Sequence, residues 1–356
     1  MPSQQPVVPP DPLVFEPLLK HRAWGGDRLR RFGKRVPPGI RIGESWELAD
    51  LPDVIADGQS RVACGPYAGV TLREVLHSSP ATAANIMGTA SLAPDGGFPL
   101  LVKFLDANEH LSVQVHPDAA YTAAFPDAHR KTEAWVVLEA APGAVLYRGV
   151  KESVHREQFF EDLIASDGPG VVPHLNAIAV ERGDCIYLPS GICHALGAGI
   201  VVAEVQTPSD TTFRVFDWNR NDPIRPLHLE PARRAMQFGA DQEDGVAGVV
   251  RRANVRPFLT PGLATRPLCR TPVFAIEWID AAPSSHLDIV SDGGPAVWSL
   301  VEGTAQLEGP AGEALRLRTG DTALIPARLE GWSARFPDRA TLLRTTLPSP
   351  YDQLRA

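Results

Sequence analysis

In the stretch LSVQVHPDAAY, Ser112, Gln114 and His116 occupy alternate positions, with Leu111, Val113 and Val115 filling those between. A period of two belongs to a strand, whose side chains at i, i+2 and i+4 line one surface. Pro117 ends the run, having no N–H to offer a ladder. On an ordinary amphipathic strand the polar side simply meets water. An amide oxygen and an imidazole on one face can instead aim their lone pairs at a common point, as metal ligands do. Glu133, which opens the strand-like run EAWVVLEA, adds a carboxylate that an antiparallel neighbour would bring close.

The elements that must hold these groups are mostly short strands. FPLLVKFLDA, EAWVVLEA, GAVLYRGV, NAIAVERGDCIYLP, GIVVAEVQ and TFRVFDW are apolar runs broken by Gly, Pro, Asn or Asp, as in a β-sandwich or barrel. Helical spacing is confined to TLREVLHSSPATAANIMG, to SVHREQFFEDLIAS with Phe159, Phe160, Leu163 and Ile164, and to LEPARRAMQF. A polar, Gly-containing stretch, GADQEDGVAGVVRRANVRP, follows the third helix before strand patterns resume, which puts a domain boundary near residue 255. The proline-rich start, residues 1–12, reads as a disordered tail without the features of a signal peptide.

Composition narrows the function. The chain has 356 residues, 44% of them hydrophobic, and a formal net charge of -8, so it can fill several cores. No basic run exists to hold a phosphate backbone, which argues against nucleic acid, and no apolar stretch reads as a membrane span. Cys64, Cys185, Cys193 and Cys269 match no zinc-finger spacing and no disulfide framework, as expected of a cytoplasmic protein. A monomer is expected.

GDCIYLPSG, starting at Gly183, and GDTALIPAR, starting at Gly320, share a pattern of a tight Gly-Asp turn, a buried strand and a closing proline. The first copy continues through Pro189 and Gly191 to His194, a spacing that resembles the second half of the cupin signature. In the second copy Arg328 stands for Gly191 and Gly331 for His194, so the C-terminal unit resembles a cupin without its metal histidine. With His194 the donors become Gln114, His116, Glu133 and His194, a shell for one Zn²⁺ or similar divalent ion with a position left for water or substrate. Singly, each has an ordinary alternative: a solvated amide, a rim charge, a hydrogen-bonded core histidine. Cys193 should face away from His194 as a small buried hydrophobe. The fold expected is mostly β: two cupin-type jelly-roll barrels with a few short helices, divided as 13–255 with the metal and 256–356 without.

HLSVQVHP, KTE, YLPSGICHALGAG and SDTTFRVFDW together resemble the type I mannose-6-phosphate isomerases in their short bacterial form, over roughly residues 13–350. The resemblance implies zinc ligation by Gln114, His116, Glu133 and His194. It also implies substrate handling by Lys131, Asp210 and Arg214, and a phosphate-side role for Ser112. Thr132 stands where the family often has proline, and the short interval from Glu133 to His194 implies that the helical insertion of longer members is absent. The implied activity interconverts mannose 6-phosphate and fructose 6-phosphate through a cis-enediol(ate), which needs a proton-transferring group, charge stabilisation and a phosphate anchor. Lys131, beside a metal and Arg214, would have its pKa lowered toward neutrality as an amine base. Arg214 would share a strand face with Phe216 and Trp218, and Asp210 could assist ring opening or proton relay. The alternative is a non-catalytic sugar-phosphate-binding regulatory cupin.

Overall fold

The computed structural model describes residues 11–52, 54–55, 57–239 and 248–348. Residues 1–10 of the expected tail, and 240–247 of the polar stretch near the expected boundary, lie outside the described residues. Four antiparallel sheets pack as two sandwiches. The first pairs a seven-stranded sheet, in the order Val249–Val250, Cys185–Leu188, Glu133–Ala140, Ile200–Gln206, Leu101–Ala107, Ile42–Leu48, Leu18–Gly26, with a five-stranded one. That second sheet runs Phe213–Phe216, Val113–Val115, His194–Ala195, Val145–Val150, Leu175–Ala179. The remaining strands form a seven-stranded and a four-stranded sheet, almost all from beyond residue 257. The exception is Leu13–Val14, which pairs with Thr322–Ile325, so the chain starts in the second sandwich before building the first.

EAWVVLEA lacks alternating polarity because both faces of its strand are covered. Trp135 and Val137 point into the first sandwich beside Leu105, Leu188 and Val202. Ala134, Val136 and Leu138 point out, against Ile276, Trp278, Val297 and Leu324 of the second. The two sandwiches therefore share one core. The outer face of the five-stranded sheet is covered by the helices Arg156–Ala165 and Leu229–Ala235 through Phe159, Phe160, Leu163 and Ala232. Ile164 does not join them; it is exposed on the solvent side of its helix.

TLREVLHSSPATAANIMG divides into two helices, Leu72–His77 with a Thr71/Glu74 capping box and Pro80–Met87 capped by Ser79. A further helix, Ala119–Ala124, carries no buried residue and so has no apolar periodicity to announce it; Asp118 caps it. The Gly-Asp repeat is structural: Gly183 and Gly320 have φ of 93° and 91°, each just before its buried strand. A Cβ on Gly320 would stand 1.9 Å from the Phe32 carbonyl oxygen, so backbone conformation and crowding both require glycine there.

Candidate metal centre and active site

Gln114 is the middle residue of a three-strand register, opposite His194 on one side and Arg214 on the other. His116 follows the strand, whose ladder stops at Val115 ahead of Pro117. Glu133 does not come from a neighbouring strand, as the spacing suggests. It projects from the opposing sheet across the mouth of the sandwich, because its own strand pairs with Cys185–Leu188 and Ile200–Gln206.

The three converge nonetheless. Glu133 Oε2 lies 3.4 Å from His116 Nε2 and Oε1 lies 3.3 Å from His194 Nε2. Gln114 Nε2 stands 3.3 Å from His194 Nε2, so exchanging the amide's ends would turn Oε1 to the same point. Each imidazole is oriented through its other nitrogen: His116 Nδ1 donates to the Thr211 carbonyl at 3.0 Å and His194 Nδ1 to that of Ile192 at 2.8 Å. Both Nε2 lone pairs are thereby aimed inward. Burial, and then Lys131, lowers the pKa of His116 to about 3, so its ring is neutral. The pKa of Glu133 is well below the usual carboxylate range: burial raises it, but Lys131 and His116 lower it more.

Lys131 Nζ is 2.6 Å from Glu133 Oε2 and 3.4 Å from His116 Nε2. The protein's own groups raise its pKa, whereas the expected lowering rests on the added charge of a bound metal. Burial lowers it, but the carboxylates of Glu133, Glu204 and Glu44 raise it and prevail. A metal would find suitable donors in this cluster. Although Lys131 is close, neither buried oxygen of Glu133 has a well-directed hydrogen-bond partner among the described residues. Donor atoms of His116, Glu133 and His194 lie within 4.8 Å of one another, and among the described residues Lys131 is the one cation in contact with them.

A pocket of about 240 Å³ opens beside the cluster, lined by Ser112, Gln114, Lys131, Asp210 and Arg214, among others. Ser112 is buried and donates to Gln114 Oε1 at 3.2 Å. Asp210 lies exposed on the rim. Arg214 faces the pocket, whereas Phe216 belongs to the core beneath the helices. The shared face expected for them is lost to a register shift between Arg214 and Phe216, which turns the strand. Trp218 lies beyond the strand. Thr132, in place of proline, donates its N–H to Thr207 Oγ1 and bonds Ser190 Oγ through its hydroxyl, the first of which a proline could not do. Cys193 is fully buried in the core behind His194, and burial raises its pKa.

Three buried polar residues of the site escape the sequence reading. Glu204 lines the pocket, accepts from Trp135 Nε1 at 2.8 Å and pairs with Lys103 Nζ at 3.2 Å. Lys103 also donates to Gln206 Oε1, and the Gln206 amide in turn donates to the Thr207 and Ser209 carbonyls, anchoring the loop that carries Asp210. The signal for Lys103 and Glu204 is a single charge inside an apolar run, as in LLVKFL and IVVAEVQ: a strand buried on both faces keeps a charge only with a partner.

Jelly-roll sandwiches with two imidazoles and a carboxylate gathered in the mouth of one of them define a cupin with a metal-type site. The family model for the phosphomannose isomerase type I catalytic domain matches residues 13–147. Mannose-6-phosphate isomerase from Streptococcus mutans is 33% identical over 329 residues, covering 90% of this chain and 94% of that protein. The chain belongs to the type I mannose-6-phosphate isomerase family. A probable mannose-6-phosphate isomerase of Bacillus subtilis is 42% identical over 227 residues, covering 62% of this chain and 67% of that protein. The crystal structure of the mannose 6-phosphate isomerase from Bacillus subtilis superposes with a TM-score of 0.79 at 27% identity, covering 94% of this chain and 99% of that one. A zinc-bound mannose 6-phosphate isomerase shares the fold with a TM-score of 0.70 at 18% identity, covering 95% of this chain and 100% of that one. This family is one of enzymes, and the non-catalytic alternative falls away. Among the described residues no helix is long and apolar enough to cross a membrane.

Proposed function

We propose that this chain interconverts mannose 6-phosphate and fructose 6-phosphate by proton transfer between C1 and C2 through a cis-enediol(ate), with one Zn²⁺ held by Gln114, His116, Glu133 and His194. The observation that carries this reading is the buried Glu133 carboxylate, flanked by two inward-facing imidazoles and opening on a charged pocket. Bound there, a divalent cation would supply electrostatic stabilisation to sugar oxygens that gain negative charge.

The chain's own groups do the rest. Lys131, 2.6 Å from Glu133, is a mobile-proton group at the edge of the pocket and in its charged form can return a proton to the enediolate. Asp210, on the rim, is the second proton-handling group and the one placed to assist ring opening. Arg214 presents a planar fork to enediolate or phosphate oxygens, and Ser112 offers a hydroxyl. Trp24 and Leu111 give the same pocket an apolar wall beside these charged groups.

We assign residues 13–255 to the catalytic cupin unit and 256–356 to a second cupin-like unit without a metal histidine, the two joined by their common core and by Leu13–Val14. Coupled turnover of mannose 6-phosphate by metal-stripped protein, before and after adding Zn²⁺, Mn²⁺ or Co²⁺, tests the function. Activity should be lost on stripping and restored by metal; full activity in the stripped protein would refute the metal assignment, and none under any metal would refute the isomerase.

A further inference from the structure

Five cationic side chains line the pocket: Arg22, Lys103, Lys131, Arg214 and Arg225. The first three each have a carboxylate of their own, Arg22 with Glu44 at 2.8 Å, Lys103 with Glu204 at 3.2 Å and Lys131 with Glu133 at 2.6 Å. Arg214 has none within ion-pair distance among the described residues. Among the described residues its one side-chain hydrogen bond runs from Nη1 to the carbonyl of Pro226, the residue after Arg225, and its buried Nε has no partner. Arg225 is paired, but it shares its partner. Asp217 receives Arg225 Nε at 2.8 Å and Nη2 at 3.0 Å, and also Arg220 Nη1 at 3.0 Å. Nη1 of Arg225 makes no hydrogen bond among the described residues.

Asp217 thus serves two guanidiniums, of which Arg220 also reaches Glu109 Oε2 at 3.6 Å, and Arg214 stands beside them without an acid. Burial lowers the pKa of Arg214, and the charge of Arg225 lowers it further, with Asp217 and Asp222 offsetting part of the effect. Half-buried like charges held side by side are costly unless an anion joins them.

The segment that carries Arg225 is held in place. Trp218, Asn219 and Asn221 have φ of 54°, 55° and 49°, a region L-residues seldom occupy. The Trp218 indole N–H donates to the Leu111 carbonyl at 2.6 Å, and its ring stacks on His110 at 4.3 Å. Backbone strain of this kind persists where the surroundings over-determine it. The antiparallel register sets Gln114 opposite Arg214 and Val113 opposite Phe216, which carries Ser112 toward Asp217. A hexose 6-phosphate has its reacting C1–C2 pair and its phosphate at opposite ends of the carbon chain, so its pocket needs two poles. The cluster around Glu133 is one.

We infer that Arg225 is a specificity-determining residue which, with Arg214, clamps the substrate phosphate, while Asp217 holds the Arg225 fork in place by two-point pairing. This rests on the isomerase reading for the identity of the sugar. Phosphate suits the site because its oxygens accept from two forks at once, and because a dianion matches two guanidiniums.

The test is Arg225→Gln in the metal-loaded, full-length enzyme, with inorganic phosphate as the binding probe. KM for mannose 6-phosphate and the inhibition constant of inorganic phosphate should each rise about tenfold or more, with kcat within about threefold of wild type. Arg225→Lys, which restores charge without the planar fork, should fall between the two. A smaller rise in either constant, or a loss carried by kcat with phosphate inhibition unchanged, would make Arg225 a structural brace and overturn the clamp. If Arg225→Gln does not fold, Arg225→Lys decides: weaker phosphate inhibition supports the clamp and an unchanged constant overturns it. Wild-type enzyme that binds phosphate through Arg225 without isomerising mannose 6-phosphate would sink the isomerase reading and leave the clamp standing.

Discussion

Glu133→Gln keeps the shape of the side chain and removes its charge, so it separates the roles of that carboxylate. At 2.6 Å the Lys131–Glu133 attraction is about 6 kcal/mol for an effective dielectric of roughly 20. Burial of both groups offsets part of this, and breaking a buried pair from one side generally costs about 3–5 kcal/mol. Lysine itself sets a ceiling: giving up its proton at pH 7 from a pKa of about 10.4 costs about 4.6 kcal/mol, after which no unpaired charge is left. Metal-free Glu133→Gln should therefore be about 3–5 kcal/mol less stable than metal-free wild type, a large share of a total on the order of 5–15 kcal/mol. Urea unfolding of the two stripped proteins measures this, and elemental analysis of the unstripped ones measures metal content. Adding Lys131→Met should recover most of the stability, since the uncompensated charge is gone, but none of the metal. Stoichiometric metal in Glu133→Gln, or a stability change below about 0.5 kcal/mol, would refute the argument, because a carboxylate that neither binds metal nor balances Lys131 has no reason to be buried there.

Lys131→Ala should retain metal and lose on the order of 10² to 10⁴ in kcat if Lys131 is a direct proton partner. Exchange of the C2 proton of mannose 6-phosphate with deuterium, followed by NMR, checks it, and full exchange at full kcat would pass the role to Asp210. Arg214→Lys keeps a charge but not a fork, so turnover should fall at least about tenfold, roughly 1.4 kcal/mol in the barrier, at a comparable thermal midpoint; wild-type turnover would make Arg214 a bystander. A piece ending at residue 255 should not fold alone. It would uncover the side chains that pack against Leu268, Phe274, Ile276, Trp278, Val297, Val301, Leu324 and Leu343, each worth about 1.5–3 kcal/mol of burial, and cooperative unfolding of that piece by circular dichroism would contradict the shared core.

Much of the site was legible in the chain because strand periodicity is local. Gln114 and His116 share a face by alternation alone, the Gly183-to-His194 spacing marks a turn and a short buried strand, and the motifs around Lys131 and Arg214 are contiguous. What local pattern cannot specify is which strands become neighbours. Glu133 reaches the histidines from the opposing sheet, a relation set by how two sheets stack and not by any interval in the sequence. The register shift that separates Arg214 from Phe216 adds no residue type that periodicity would detect. Lys103, Glu204 and Gln206 looked like stray polar positions in apolar runs, and only the pairing of their strands shows that they satisfy one another. The electrostatics of Lys131 followed the same course. Burial and three carboxylates from three different strands set the protein's own contribution to its pKa, and both depend on distances that exist only once the chain has folded.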